Sequence, residues 1–183
     1  ATHGHFDHIA DVVPTAARTG AAVVGIYELV AWLQSKGVEK GIGMNLGGSY
    51  RHGDVTLTMV EARHTSGISD GDKVVYGGVP AGFVLTIEGG PVLLHAGDTT
   101  VFSDMKLIAE LYHPELAMLP IGGHYTMGPR EAALSARYLG VKTVLPVHFG
   151  TMPELTGTPA ELKTHLGDGG IEVLMVKPGE AVR

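Results

Sequence analysis

The feature that most constrains this chain is the run His3-Gly4-His5-Phe6-Asp7-His8, which reads H-x-H-x-D-H. Three imidazoles and a carboxylate within six positions are ligands suited to zinc, manganese or iron where no thiolate is offered. Cysteine is absent. Disulfides, cysteine-based metal sites and thiol nucleophiles are therefore excluded. Four clustered ligands are useful only if held rigidly, whereas the first residues of a chain ordinarily fray. The run therefore demands a fold that ties it down and brings partner residues to it.

The 183 residues are enough for one domain with a substantial core. Hydrophobic residues at 44% and charged residues at 17% give a globular rather than a disordered composition. No apolar run approaches the roughly 20 residues that span a bilayer, and no basic start precedes an apolar segment. The net charge is −6, with 13 scattered Lys and Arg residues. That distribution gives no footprint for nucleic acid. The expectation is a cytoplasmic protein acting on a small molecule.

Along the chain, residues 9–19 predict a short helix capped by Asp11 and ended by Gly20. Residues 21–26 predict a strand and 27–35 a helix with Leu29, Val30 and Leu33 on one face. Strands follow at 42–46 and at 55–62, where β-branched residues alternate. Residues 65–79, rich in Gly, Ser and Asp, read as a long loop and a candidate lid. A hairpin is expected from 82–88 and 91–95 about Gly89-Gly90. Then come a helix at 104–112, a strand at 116–121, a helix at 129–139 opening on proline and a strand at 141–147. A helix opens at Thr158 with a capping box to Glu161, and a last strand covers 171–176.

The polar residues fall at the ends of these elements. His64, Asp98, His124 and His148 each follow an apolar strand run, and open sheets carry their functional loops there. Together with His3, His5, Asp7 and His8 they point to one metal centre.

At this point the sequence resembles a known family. H-x-H-x-D-H, then Arg63-His64-Thr65, Ala96-Gly97-Asp98-Thr99 and Pro146-Val147-His148 look like the ordered ligand motifs of the metallo-β-lactamase superfamily. The match runs the length of the chain. Finer phrases such as Asp104-Met105-Lys106-Leu107-Ile108, the run from Pro120 to Pro129, and Pro146 to Thr151 are similar to one branch. This is the metal-dependent hydrolase group, similar to ascorbate-6-phosphate lactonase and to the N-acyl-phosphatidylethanolamine phospholipase D type. The resemblance implies an α/β fold, the four-layer αβ/βα sandwich of that superfamily. It implies two divalent ions, zinc first, with Mn, Fe and Ni as alternatives. His3, His5 and His64 would bind one ion, Asp7, His8 and His148 the other, and Asp98 would bridge them. A water activated between the ions would then cleave an ester, lactone or phosphodiester of a small substrate.

Asp98 and Asp7 are the expected catalytic carboxylates. His124, spare as a ligand, is expected to reach the substrate or protonate a leaving group. His95 is expected to brace a ligand from behind, while His52, His113 and His165 are expected at the surface. Tyr125 and Thr126 are weaker candidates for the pocket wall. The rival readings are an iron-dependent oxidoreductase on the same fold and a metal-binding module without catalysis. The diiron members of the superfamily tend to carry Glu where this chain has His5, which favours hydrolysis. The family places several strands before the metal motif, and residues 1–183 do not contain them. The expectation is a single domain that forms the C-terminal portion of a longer polypeptide, with an N-terminal fragment of the same protein or a second copy as possible partners.

Overall fold

The computed structural model describes residues 1–177 and 179–181. The chain begins with an extended segment and a one-turn helix α1 (Phe6–Ile9), then α2 (Val12–Thr19), β1 (Val23–Ile26), α3 (Tyr27–Ser35) and β2 (Gly41–Met44). Next come β3 (Ser49–His52), β4 (Val55–Glu61), β5 (Gly67–Asp70), β6 (Lys73–Tyr76), β7 (Ala81–Ile87) and β8 (Val92–His95). The last third alternates: α4 (Met105–Tyr112), β9 (Leu116–Pro120), α5 (Pro129–Leu139), β10 (Thr143–Val147), α6 (Pro159–Leu166) and β11 (Glu172–Val173).

One seven-stranded mixed sheet organises the molecule, in the order β11-β10-β9-β8-β7-β4-β3. The edge from β8 to β11 is parallel, and the edge from β8 to β3 is antiparallel. Because successive side chains point to opposite faces, neighbouring residues feed two cores. Val60, Val84, Leu94, Ala117 and Leu119 pack with Met105, Ile108, Ala132, Ala136 and Leu162 from α4, α5 and α6. Met59, Ala81 and Phe83 pack the other way, against Ile9, Ala16, Ile26, Leu29 and Leu33. That second face carries α1, α2, α3 and the small parallel sheet β1–β2. Helices therefore cover the large sheet on one side, and a second sheet with its helices covers the other, giving the αβ/βα sandwich. No helix among the described residues is long and apolar enough to cross a membrane.

The expected elements are found with four corrections, one being that the last strand, expected over 171–176, is confined to Glu172–Val173. The segment 65–79 is not a structureless loop: β5 and β6 pair antiparallel about Gly71-Asp72. Gly71 takes a left-handed φ of 62°, the turn geometry that a Gly-Asp dipeptide supports. Ile68 is the one fully buried anchor of that hairpin, and the apolar Val74 and Tyr76 are exposed, so the burial alternation does not show in the sequence. The expected helix over 9–19 begins only at Val12, after the separate one-turn helix α1 (Phe6–Ile9), and Asp11 makes no side-chain cap. β3 is an additional edge strand, largely exposed and therefore without a hydrophobic pattern to read. The Thr158–Glu161 capping box is present in both directions.

Leu119 lies on central strand β9 and is 0% exposed. Replacing Leu119 by Ala removes packing that neighbouring side chains cannot fully recover, at a cost of about 3 kcal/mol. Urea unfolding should show this as a lower midpoint with an unchanged slope.

Candidate metal centre

His3 and His5 lie in the extended segment, and Asp7 and His8 in α1. His64 follows β4, Asp98 follows β8 and His148 follows β10. The segment carrying the first two is held at both ends. The Ala81 N–H donates to the Thr2 carbonyl (2.9 Å), and the Gly4 N–H donates to the Ser66 hydroxyl (3.0 Å). A side chain at Gly4 would strike Ile68 at 2.6 Å, which explains glycine between the first two histidines. Gly97, before Asp98, combines a φ of 65° with a close approach to Thr2 and the Ala81 carbonyl. The loops after β4 and β8 are tied together as well. Arg63 N–H donates to Thr99 Oγ1 (2.9 Å), and Thr100 N–H donates to the Arg63 carbonyl (3.2 Å).

The seven side chains fall into two groups, His3/His5/His64 and Asp7/His8/Asp98/His148, each with ligand atoms within 4.8 Å of one another. In the first, His5 Nδ1 lies 3.0 Å from His3 Nε2 and 3.2 Å from His64 Nε2. In the second, His148 Nε2 lies 3.3 Å from Asp7 Oδ2. Asp98 Oδ2 joins the groups, at 3.2 Å from His148, 3.3 Å from His8, 3.7 Å from His64 and 3.9 Å from His3, each at Nε2.

Burial works against charge here. It pushes the His3 imidazole down to about 3, helped by neighbouring His8 and opposed by Asp98. Burial also lowers His64, again opposed by Asp98. For Asp98 itself burial acts upward, but hydrogen bonds from His148 and His8 outweigh it and hold the carboxyl far below its usual range. The hydrogen bond to Asp98 raises His148 to about 9 against the opposing effect of burial. His148 also sits at φ 55°, in the left-handed region that a non-glycine residue rarely occupies. Strain of that kind concentrates at functional sites.

Supporting residues absent from the sequence reading include Thr2, whose hydroxyl lies 3.1 Å from His3 Nδ1 and 3.4 Å from His8 Nδ1. Thr65 Oγ1 stands 3.2 Å from His5 Nε2. These contacts leave the opposite ring nitrogens facing the centre, the usual way imidazole ligands are oriented. Thr2 and Thr65 each adjoin a histidine of the cluster in sequence, a placement with no distinctive pattern. His95 is half-buried behind the site, where its Nδ1 accepts from Gly97 N–H (3.1 Å), and burial lowers its pKa. His124 is not brought into the cluster. It is exposed after β9 with its ring edge-on to Tyr125, the centroids 4.6 Å apart. Tyr125 is the residue of that turn that lines the cavity, and Thr126 does not reach it. His52, His113 and His165 are exposed, as expected.

The centre opens to a cavity of about 350 Å³ walled by Phe6, Thr65, Gly67, Ser69, Tyr125 and Met152. A second cavity of about 400 Å³ adjoins it across Phe6, Asp7, His148 and Met152.

Residues 1–149 match the family model described as the beta-lactamase superfamily domain. The chain is 53% identical over 179 residues to a UPF0173 metal-dependent hydrolase of Koribacter versatilis, covering 98% of this chain and 76% of that protein. A homologue of the same description from Solibacter usitatus is 51% identical over 182 residues, covering 100% of this chain and 79% of its own length. Among solved structures, Igni18, a metallo hydrolase of Ignicoccus hospitalis, superposes with a TM-score of 0.86 at 38% identity, covering 99% of this chain and 76% of that one.

Metal ligation needs neutral imidazole, so cation uptake must expel the proton that Asp98 holds on His148. With a pKa raised to about 9, that proton is present at pH 7.5, and apparent affinity should climb as pH rises towards 9. Zinc titration calorimetry in two buffers of different ionisation enthalpy should report about one proton released per chain. Equal heats in both buffers would contradict it.

Proposed function

We propose that this chain, which belongs to the beta-lactamase superfamily and to its UPF0173 metal-dependent hydrolases, cleaves an ester, lactone or phosphodiester bond of a small molecule at a centre of two divalent ions. The observation that carries the proposal is Asp98 Oδ2, set between two separate groups of ligands. The donor set fits cations. In the first group three imidazole nitrogens face one another, with Asp98 Oδ2 of the second group 3.7 Å from His64 and 3.9 Å from His3, and burial disfavours the charged form of both histidines. Lone pairs so gathered repel unless a positive ion lies among them. His3, His5 and His64 would hold one ion and Asp7, His8 and His148 the other, with Asp98 shared. Imidazole and carboxylate without thiolate suit zinc first, and also Mn, Fe or Ni.

When bound, the ions supply Lewis acidity and a water acidic enough to serve as nucleophile near neutral pH. The protein's own contribution is arrangement. Thr2 and Thr65 fix the histidine rings from behind, so the inward nitrogens need no reorganisation. Asp98, buried and anionic, offers fixed negative charge at the centre of the site. Asp7 is the more exposed carboxylate and faces the cavity. Water adds to the acyl or phosphoryl centre, and its proton passes to the Asp7 carboxylate. The bond to the leaving oxygen breaks, and that oxygen collects the proton from Asp7, giving one acid and one alcohol.

Asp98→Ala removes the shared ligand. Metal-dependent hydrolysis of a panel of carboxylic esters, lactones and phosphodiesters should fall by on the order of a thousandfold, equivalent to about 4 kcal/mol of lost transition-state stabilisation. Circular dichroism should show the fold retained. Unchanged turnover by a folded variant would overturn the proposal.

A further inference from the structure

The walls of the site carry information about what enters it. Phe6 stands in the metal motif between His5 and Asp7, yet its ring is 66% exposed. Tyr125 is 51% exposed and lines the opposite wall, and Met152 completes the rim. Phe6 and Met152 also wall the adjoining cavity, so apolar surface flanks the ligands on both sides. Exposed Phe6 and Tyr125 with half-buried Met152 around a concave site favour an apolar occupant.

The charged groups argue in the same direction. No Lys or Arg lines either cavity among the described residues. The polar lining of the main cavity, beyond the ligands, is Thr65 and Ser69. Arg63, next to His64 in sequence, is engaged elsewhere: its Nε donates to Glu61 at 3.0 Å, and its guanidinium lies 5.0 Å over the Phe102 ring. Recognition of a phosphate or carboxylate away from the reacting bond ordinarily uses an Arg or Lys aimed at it. Nothing in these walls offers one, and a carboxylate pressed against Phe6 and Tyr125 would lose water and find no cationic partner, only neutral hydroxyls.

Resting on the hydrolase reading above, we infer that the substrate is an uncharged carboxylic ester or lactone whose acyl part is apolar, seated against Phe6, Tyr125 and Met152, with no anionic group beyond the bond that is cleaved. The cavity of about 350 Å³ suits an acyl group of small-molecule size. Phosphorylated sugars and anionic diesters are thereby disfavoured as substrates. Phe6 and Tyr125 become the specificity-determining residues, and both are exposed enough for substitution without loss of the core.

The test uses two pairs of probes on the zinc-loaded protein, each setting an uncharged apolar member against an anionic one. The first pair is 4-nitrophenyl butyrate and mono-4-nitrophenyl succinate, which share a four-carbon acyl chain and differ by a terminal carboxylate. The second pair, benzohydroxamate and succinate monohydroxamate, is read by calorimetry and requires no turnover. The inference predicts at least about a tenfold preference in kcat/KM for the butyrate and about a tenfold tighter binding of benzohydroxamate. In Phe6→Ser/Tyr125→Ser both preferences should fall to within about threefold, with the ester effect residing in KM rather than kcat. Equal handling of both members of each pair would overturn it, as would preferences that survive the double substitution. If neither ester is hydrolysed but the hydroxamate preference is present and lost in the double variant, the apolar assignment stands and the hydrolase reading falls.

Discussion

A single carboxylate oxygen holds this site together. Asp98 Oδ2 lies within 3.2–3.9 Å of Nε2 atoms from His3, His8, His64 and His148. These four residues come from the leading segment, α1, the loop after β4 and the loop after β10. Bringing them to one point requires the strand order of the large sheet, which sets β8 between β7 and β9 and places the ends of β8 and β10 on the same edge. The Thr99 hydroxyl, one residue beyond Asp98, receives the Arg63 N–H and so fixes His64 relative to that carboxylate. The leading segment is clamped by Ala81 and Ser66. Much of the irregular backbone of the molecule exists to keep this oxygen and its neighbours in register.

That arrangement has an energetic cost, which the cations proposed above would offset. A buried carboxylate and clustered imidazoles are expensive to desolvate. The hydrogen bond to Asp98 raises the His148 pKa to about 9, which favours an imidazolium beside that carboxylate. His148 also holds left-handed backbone at φ 55°. Both features fit a site preorganised for the metal ligation proposed above.

Most of this was legible in the sequence because ligand chemistry is local. H-x-H-x-D-H, and His or Asp directly after apolar runs, mark eight candidates without any coordinates, and the family resemblance implies which seven of them are donors. The β-branched alternation of β4 and the apolar run of β9 likewise show themselves. The hairpin β5–β6 did not, because a strand pair that buries only Ile68 has no hydrophobic period. The orienting hydroxyls of Thr2 and Thr65 were equally hidden, since a threonine beside a histidine has no distinctive pattern. His124 shares the strand-end position of His64 and His148, but the turn after β9 directs Tyr125 rather than His124 to the cavity. Sequence position marks the end of a strand; the turn that follows decides where the side chain goes.

The account stands on there being two cation sites joined through Asp98. Elemental analysis of the purified chain, after saturation with zinc and removal of unbound metal, measures this directly. Two zinc ions per chain are predicted, with both weakened together in Asp98→Asn and only one weakened in His148→Ala. A single ion per wild-type chain, or two that respond independently to loss of Asp98, would contradict it.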